Sequence, residues 1–452
     1  MTRVAAIEPE TSRAINIWPH ILVCICALMV ATISPPEDLK AGMFGTASLL
    51  PPALMKLLKI VGRGSAILIL SYSFYLVWTN PRRCKSVMVL LPLTGFTMFA
   101  FCSIAWSASK GTSLGQVATF ATLVALAHLI ATIWSGERDT SRLLMICSIV
   151  LFVISLGLLF LHFVRPNLGV LTRSSSGIFH STNAGATASL GIVILFASRI
   201  IWGWSWTRWL IFPATTVHMA SLLIGANRLS LAVMVLVCAI LFLTMSHKVV
   251  VAVTGLVFSS GLLGYACIDP GLVLFDRLAY RIGDFTSQGQ SQAQLTSLSG
   301  RSEMWQKVWD SYLESPLLGH GYFMTSNTGQ ILVWDELGNW TAHNLGLQLL
   351  ATLGVVGAVL FVVGIGSVVI RVIFQLGVND KSIHQTAVFL LAIFLWFAGW
   401  GLLNASILGP LQPESVIFAV VLGLGAAISI RPSSSAPVNV PSSLRLTDGE
   451  TR

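Results

Sequence analysis

The stretch LGLQLLATLGVVGAVLFVVGIGSVVI (345–370) decides the fold class of this chain. It contains no charged residue, and it is longer than the roughly 20 residues that a helix needs to cross the hydrocarbon layer of a bilayer. Such a run is typical of a transmembrane helix, because a helix satisfies all of its own backbone polar groups within lipid. Similar runs recur along the chain, so we expect a membrane protein with many spans.

The composition excludes the other broad classes of protein. Of the 452 residues, 55% are hydrophobic and 10% are charged, whereas a soluble protein carries roughly 25% charged residues. So few charges could not solvate the surface of a soluble enzyme, a disordered protein or an ordinary nucleic-acid binder. The net charge of +9 is then a topology signal. The seven cysteines have no metal-ligand spacing, so neither a zinc site nor a disulfide framework is expected.

Twelve apolar runs are long enough to be transmembrane spans. We therefore predict an all-α polytopic membrane protein with about twelve transmembrane helices and one large loop at the outer face. The region 41–60 is left out of this count because Pro51 and Pro52 interrupt it. The runs lie near residues 17–33, 64–79, 86–106, 113–134, 142–162, 184–201, 208–224, 229–246, 247–267, 345–370, 384–404 and 415–430.

This pattern predicts four regions. Residues 1–267 form an N-terminal transmembrane bundle of about nine helices, and residues 268–342 form the large outer loop with short helices. Residues 343–430 form the C-terminal transmembrane helices. Residues 431–452 form a Pro/Ser-rich tail that we expect to be disordered and cytoplasmic.

Basic residues predict the orientation. With the N-terminus inside, clusters such as Arg82, Arg83 and Lys85 fall in short cytoplasmic segments, where the positive-inside rule applies most strongly. We therefore predict that both termini are cytoplasmic. No Asp, Glu, Lys or Arg lies well inside a predicted span. This absence disfavours an ion-coupled transporter, which usually buries such groups along its pathway.

The large loop contains a predicted amphipathic helix, Ser302–Glu314. Arg301 lies at its N-terminus, where free amides and the helix dipole favour an anion, and where an arginine can bind a phosphate with two hydrogen bonds. Pairing of Arg301 with a carboxylate of the loop is the alternative. The helix has one apolar stripe at i, i+3, i+4 and i+7, formed by Trp305, Val308, Trp309 and Tyr312.

Further polar residues lie where even-numbered spans begin at the outer face. Arg173 and Asn183 lead into the sixth span, Arg228 into the eighth, and His343-Asn344 into the tenth. Each has an ordinary explanation, namely a capped loop, an arginine that reaches lipid headgroups, and an interfacial histidine. A histidine at this depth can also be a general base. Together, arginines and helix N-termini at one surface suit a dianionic headgroup.

Four sequence blocks resemble the O-antigen ligase and O-antigen polymerase superfamily. SGRSEMWQKVWDSYLESPLLGHGYF (299–323) and TAHNLGLQLLATLGVVGAVLF (341–361) contain G-R-x-x-x-W, P-L-L-G-x-G, H-N-x-x-L and G-x-x-G in the family order. GIFHSTNAGATASLG (177–191) and ANRLSL (226–231) resemble weaker family blocks. The last reads Asn227-Arg228-Leu229 where relatives often have Ser-Arg-Gly.

The resemblance implies a GT-C-like glycosyltransferase of the bacterial inner membrane with its active site facing the periplasm. The donor would be an undecaprenyl-pyrophosphate-linked oligosaccharide and the acceptor a sugar hydroxyl of a glycolipid. Polymerisation of O-antigen or exopolysaccharide repeats is the first hypothesis, and ligation to lipid A-core is the alternative. A transporter or flippase and a non-catalytic assembly subunit are more distant alternatives. Partners would be the bilayer, a chain-length regulator and a flippase, with no nucleic acid, metal or cofactor.

The resemblance also implies roles for individual residues. His343 would take the proton from the acceptor hydroxyl. Arg228 and Arg301, together with Arg173, would stabilise the departing pyrophosphate, and removal of one such group typically costs about 10²–10³ in rate. The further candidates for the substrate site are Asn344 and Tyr322 as orienting groups, Glu303 and Glu314 as sugar contacts, and Asn183.

Overall fold

The structure, a computed structural model, describes residues 17–32, 52–78, 88–164, 170–172, 175–176, 179–225, 227–245, 301–322, 342–408 and 411–429. Within these ranges the chain is helical except for turns and three short strands. The helices are α1 (Trp18–Val30), α2 (Pro52–Trp78), α3 (Leu91–Cys102), α4 (Lys110–Ile133), α5 (Glu137–Val164), α6 (Ser181–Ile201), α7 (Ser205–Gly225), α8 (Arg228–Met245), α9 (Arg301–Glu314), α10 (Leu345–Phe374), α11 (Lys381–Gly401) and α12 (Pro413–Ile428). Single 3₁₀ turns follow α3 (Ser103–Ala105) and α10 (Gln375–Gly377).

A helix lies at eleven of the twelve predicted spans, and the remaining one, 247–267, lies outside the described residues. The all-α polytopic class is confirmed, while the count of about twelve spans stays a prediction. The tail 431–452 also lies outside the described residues. By length and composition, seven described helices could cross a membrane: Met88–Ala105, Lys110–Ile133, Glu137–Val164, Thr182–Ile201, Arg228–Met245, Leu345–Gly377 and Lys381–Gly401.

The start of α2 differs from the sequence prediction. The predicted span began at residue 64, but the helix begins at Pro52. A proline at the first position of a helix removes only an amide that has no partner within the helix, and its fixed φ suits the helix. Pro52 therefore starts the helix that it was expected to interrupt.

The core of the molecule surrounds α12. Every residue from Pro413 to Ile428 is buried, and the helix packs against α4, α10 and α11. After Glu414 and Ser415 in its first turn, α12 is apolar on all sides, and such a helix is stable only when neighbours cover it completely. The approach to α4 is close, since a Cβ on Gly423 would lie 2.7 Å from the carbonyl oxygen of Ala127.

Three short strands precede α6. Strand β1 (Val170–Thr172) pairs antiparallel with β2 (Ser175–Ser176) and parallel with β3 (Phe179–His180), so the sheet order is β2-β1-β3. Strand β3 ends at His180 and α6 begins at Ser181, so the sheet lies directly before the N-terminus of α6. This is the region where the sequence placed its first group of polar candidates.

Candidate functional site

The tenth predicted span is a broken helix. Gly354 has φ 63° and ψ −169°, which divides α10 into a segment before it and a longer segment after it. The P-L-L-G-H-G loop (316–321) fills the break. The amides of Val355 and Val356 donate to the carbonyl oxygens of Pro316 (2.8 Å) and Leu317 (3.3 Å).

The same loop also donates hydrogen bonds to backbone carbonyl groups of the segment before the break. The amides of His320 and Gly321 donate to the carbonyl oxygens of Ala351 (3.2 Å) and Thr352 (2.9 Å). Four backbone groups of α10 thus find partners in one loop. Irregular backbone at membrane depth is tolerated only where protein or a water-filled cavity surrounds it.

Two glycines make this junction possible. Gly319 has φ 65°, and a Cβ there would lie 2.4 Å from the carbonyl carbon of Thr352. A Cβ on Gly354 would lie 2.2 Å from the carbonyl oxygen of Leu317. Because only glycine accepts both the left-handed φ and the contact, these two motif glycines have a structural role.

A pair of hydrogen bonds fixes the residue before His343. Trp305 of α9 donates its indole N–H to the carbonyl oxygen of Ala342 (3.0 Å). The amide of Ala342 donates to Oε1 of Gln348 (2.7 Å), which is fully buried one turn into α10. Helix α9 is therefore attached to the start of α10. Arg301 lies one turn before Trp305, and its side chain lies outside what the structure describes.

His343 itself has an unusual backbone. Its φ is 47°, and it is the one non-glycine residue with positive φ in the described part of the chain. The side chain is half-buried. Histidine enters this region more readily than most residues, but the conformation still costs about 1–3 kcal/mol and persists only where its surroundings impose it.

The residue after His343 is fixed as well. Asn344 caps α10, because its Oδ1 accepts the amide of Leu347 (2.9 Å), and its Nδ2 donates to the carbonyl oxygen of Leu402 (3.0 Å). The next two amides, those of Leu345 and Gly346, have no hydrogen-bond partner among the described residues. The start of α10 thus presents a histidine beside two free N–H donors, an arrangement that favours an anion.

The residues at the start of α10 form one cluster of candidate residues, and the starts of α6 and α8 form a second. Asn227 caps α8 by accepting the amide of Ser230 (2.9 Å), and its Nδ2 donates to the carbonyl oxygen of Thr182 in α6 (3.5 Å). The half-buried side chains of Asn183 and Arg228 each lie next to one of these residues in the chain. The fold therefore brings these two predicted site residues to adjoining helix starts.

The last turn of α11 joins the two clusters. A Cβ on Gly399 would lie 2.9 Å from Cγ2 of Val233 in α8, and a Cβ on Gly401 would lie 3.3 Å from Cδ2 of Leu345 in α10. The starts of α6, α8 and α10 consequently lie at the same end of the bundle as the attached helix α9.

Tyr322 and the remaining candidates lie differently. Tyr322 is buried, and its hydroxyl donates to the carbonyl oxygen of Leu408 while its amide donates to Oγ of Ser103 (3.0 Å). Burial raises the pKa of this phenol, which therefore stays a donor. This placement favours a supporting role over contact with a substrate. Glu314 is exposed at the end of α9. Arg173 and the side chain of Glu303 lie outside what the structure describes.

The sequence interpretation missed the supporting residues. Gln348 could have been recognised from the sequence. It is the one amide side chain in the first turn of an apolar run, and a buried polar group needs a hydrogen-bond partner. Trp305 was read only as part of an apolar stripe. The role of Leu402 could not be predicted, because it acts through its backbone carbonyl, which no residue pattern reveals. Within the described ranges, no three His, Cys, Asp or Glu side chains are grouped so that they could hold a metal ion.

Comparison with known proteins supports the resemblance. Residues 168–362 match a family model described as O-Antigen ligase. The matched segment runs from β1 into α10, and it contains both clusters and every predicted site residue. The resemblance to the O-antigen ligase and polymerase superfamily is thereby confirmed, and a ligase-like or polymerase-like function in a membrane protein is supported. No curated protein matches the chain.

Proposed function

We propose that this protein, which matches the O-antigen ligase family over residues 168–362, is a glycosyltransferase of the bacterial inner membrane. It moves a glycan from undecaprenyl pyrophosphate to an acceptor sugar hydroxyl at the periplasmic face, without a metal ion. The favoured reaction is polymerisation of O-antigen or exopolysaccharide repeats. The observation that carries the proposal is the left-handed backbone of His343, held on both sides and next to two amides that have no partner among the described residues.

The proposed reaction uses His343 as the general base. Its imidazole accepts the proton of the acceptor hydroxyl while that oxygen attacks the anomeric carbon of the donor. The bond between the anomeric carbon and the pyrophosphate oxygen breaks, and undecaprenyl pyrophosphate leaves with the electron pair. Direct attack inverts the anomeric configuration. A positioned base of this kind contributes about 10²–10⁴ in rate.

Positive groups stabilise the leaving pyrophosphate in this scheme. Arg228 lies at the cluster formed by α6 and α8, and Arg301 begins the helix that is attached beside His343. Arg173 lies in the same family segment. The amides of Leu345 and Gly346, unpaired within the described part of the chain, add donors of fixed direction, which cost no reorganisation during the reaction.

Asn344 receives a more specific role than the sequence assigned to it. Its oxygen is occupied by the amide of Leu347, and its nitrogen contacts the carbonyl of Leu402. We therefore assign Asn344 to the positioning of His343 and not to contact with a sugar. Tyr322 receives a similar supporting role at the end of the loop that fills the break in α10.

The test is transfer in vitro by the purified protein. The substrate is a synthetic undecaprenyl-pyrophosphate oligosaccharide, with and without a chelator. His343→Ala and Arg228→Ala should each lower the rate by about 10² or more, and the chelator should have no effect. His384→Ala and Arg371→Ala are the matched controls, since both residues lie at the opposite end of the bundle. Wild-type rates in the two site variants would reject the proposal.

The products distinguish the related functions. Lipid-linked products longer than one repeat identify a polymerase, and glycan joined to lipid A-core identifies a ligase. Movement of the lipid across liposomes without a new glycosidic bond would favour the transporter instead.

A further inference from the structure

The exposed surface of helix α9 is apolar on one side and polar on the other. Met304 and Val308 face the rest of the protein and are buried. With 100° between successive residues, the exposed surface divides into two flanks. One flank is apolar and carries Trp309 (41% exposed) and Leu313 (57% exposed). The other flank is polar; it begins beside Leu313 and carries Gln306, Lys307, Asp310 and Glu314.

The apolar flank continues into the loop that fills the break in α10. Leu317 and Leu318, which follow α9 after Ser315-Pro316, are 65% and 46% exposed. The carbonyl of Leu317 accepts the amide of Val356, so this loop lies against α10 at the break. The two leucines therefore extend the apolar flank of α9 as far as α10.

The exposed surface of α10 beyond the break is apolar as well. Val355, Val356 and Val359 are all exposed, and α10 is long and apolar enough to cross a membrane. A large exposed apolar surface on such a helix is what lipid acyl chains cover. The flank of α9 is continuous with this surface and ends at a tryptophan, a residue enriched at membrane–water interfaces.

We propose that α9 lies in the outer interface of the membrane, with Trp309 and Leu313 among the lipid acyl chains and its polar flank in water. The occupant of the apolar flank is the bilayer itself. This inference goes beyond the proposed reaction, because it concerns where the loop helix lies. Its consequence is that the first turn of α9, with Arg301, is held at the depth of the lipid headgroups.

A spin-label experiment on the full chain in proteoliposomes tests this placement. All seven native cysteines are replaced, and single nitroxides are placed at Leu313→Cys and, as the matched control on the polar flank, at Asp310→Cys. Val359→Cys on α10 gives the lipid-facing reference. The measured quantity is the ratio of collision rates with oxygen, which concentrates in lipid, and with a water-soluble nickel chelate.

The expected ratio at Leu313 is close to that at Val359 and several-fold higher than that at Asp310. A ratio at Leu313 equal to that at Asp310 would place the flank in water and overturn the inference. Low collision rates with both reagents would show that protein covers the flank, and this outcome would also overturn it. Leu317→Cys repeats the test should Leu313→Cys not fold. No readout here depends on transfer activity, so failure would leave the proposed reaction untouched.

Discussion

At the scale of single residues, the backbone conformation of the candidate base His343 depends on the residues before and after it. His343 takes up a left-handed φ because Ala342 and Asn344 are both fixed by hydrogen bonds to other elements. The H-N pair predicted the base from the sequence, whereas the cap formed by Asn344 was found only in the structure. The partners, namely the indole of Trp305 and the carbonyl of Leu402, come from distant positions in the chain and could not be predicted from local spacing.

Replacement of Trp305 tests this arrangement. Trp305→Phe keeps an aromatic side chain but removes the pyrrole ring, whose N–H reaches the buried carbonyl of Ala342 (3.0 Å). An unpaired buried acceptor costs about 1–3 kcal/mol, and misplacement of His343 should lower the transfer rate by about tenfold or more. Trp309→Phe, on the exposed apolar flank of the same helix, is the matched control and should leave the rate near wild type. Equal effects of the two changes would show that the indole of Trp305 does not position the base.

Two substitutions of Asn344 separate its two contacts. Asn344→Ser keeps a hydroxyl that can cap α10 but is too short to reach Leu402, whereas Asn344→Ala loses both contacts. Loss of the cap costs about 1 kcal/mol. We expect a lower melting temperature in detergent only for the alanine variant, and a slower transfer rate for both. Full activity of the serine variant would show that the contact with Leu402 is dispensable.

At the scale of elements, the sequence predicted α9 within one residue, as Ser302–Glu314 against the observed Arg301–Glu314. Its apolar stripe and the following Ser315-Pro316 were sufficient signals. The run 345–370 was predicted as one continuous helix, and the break at Gly354 was missed. Glycine is frequent within transmembrane helices, so a glycine alone does not reveal a break. The break exists because a loop from an earlier part of the chain supplies four hydrogen bonds.

Glycine substitutions in α10 measure the importance of that break. Gly354→Ala should destabilise the protein, because its Cβ would lie 2.2 Å from the carbonyl oxygen of Leu317 and its φ is left-handed. Gly366→Ala in the same helix is the control, since nothing lies within 4 Å of its Cβ. Alanine at an unstrained helical position is neutral or stabilising by up to about 1 kcal/mol. The measurement is the melting temperature of each purified variant in detergent. Equal melting temperatures would mean that the loop can leave the break without cost.

At the scale of the whole molecule, alternation of the spans predicted that α6, α8 and α10 begin at one face. The described contacts place those three helix starts at one end of the bundle. The sequence did not predict that the last turn of α11 joins them. That junction depends on Gly399 and Gly401, whose lack of side chains lets α8 and α10 approach closely. Small residues at helix contacts are common in membranes, but their partners depend on the packing of the complete bundle.

The same alternation predicts which end faces the periplasm. Ala108 is exposed between α3 and α4, and the neighbouring Ser107 contacts the loop that fills the break, at the end that carries His343. Asn379 is exposed between α10 and α11 at the opposite end. In a cysteine-free background, Ala108→Cys should react with a membrane-impermeant maleimide once the outer membrane is permeabilised. Asn379→Cys should react only after the inner membrane is disrupted. The opposite pattern would place His343 in the cytoplasm, where a periplasmic transfer reaction could not occur.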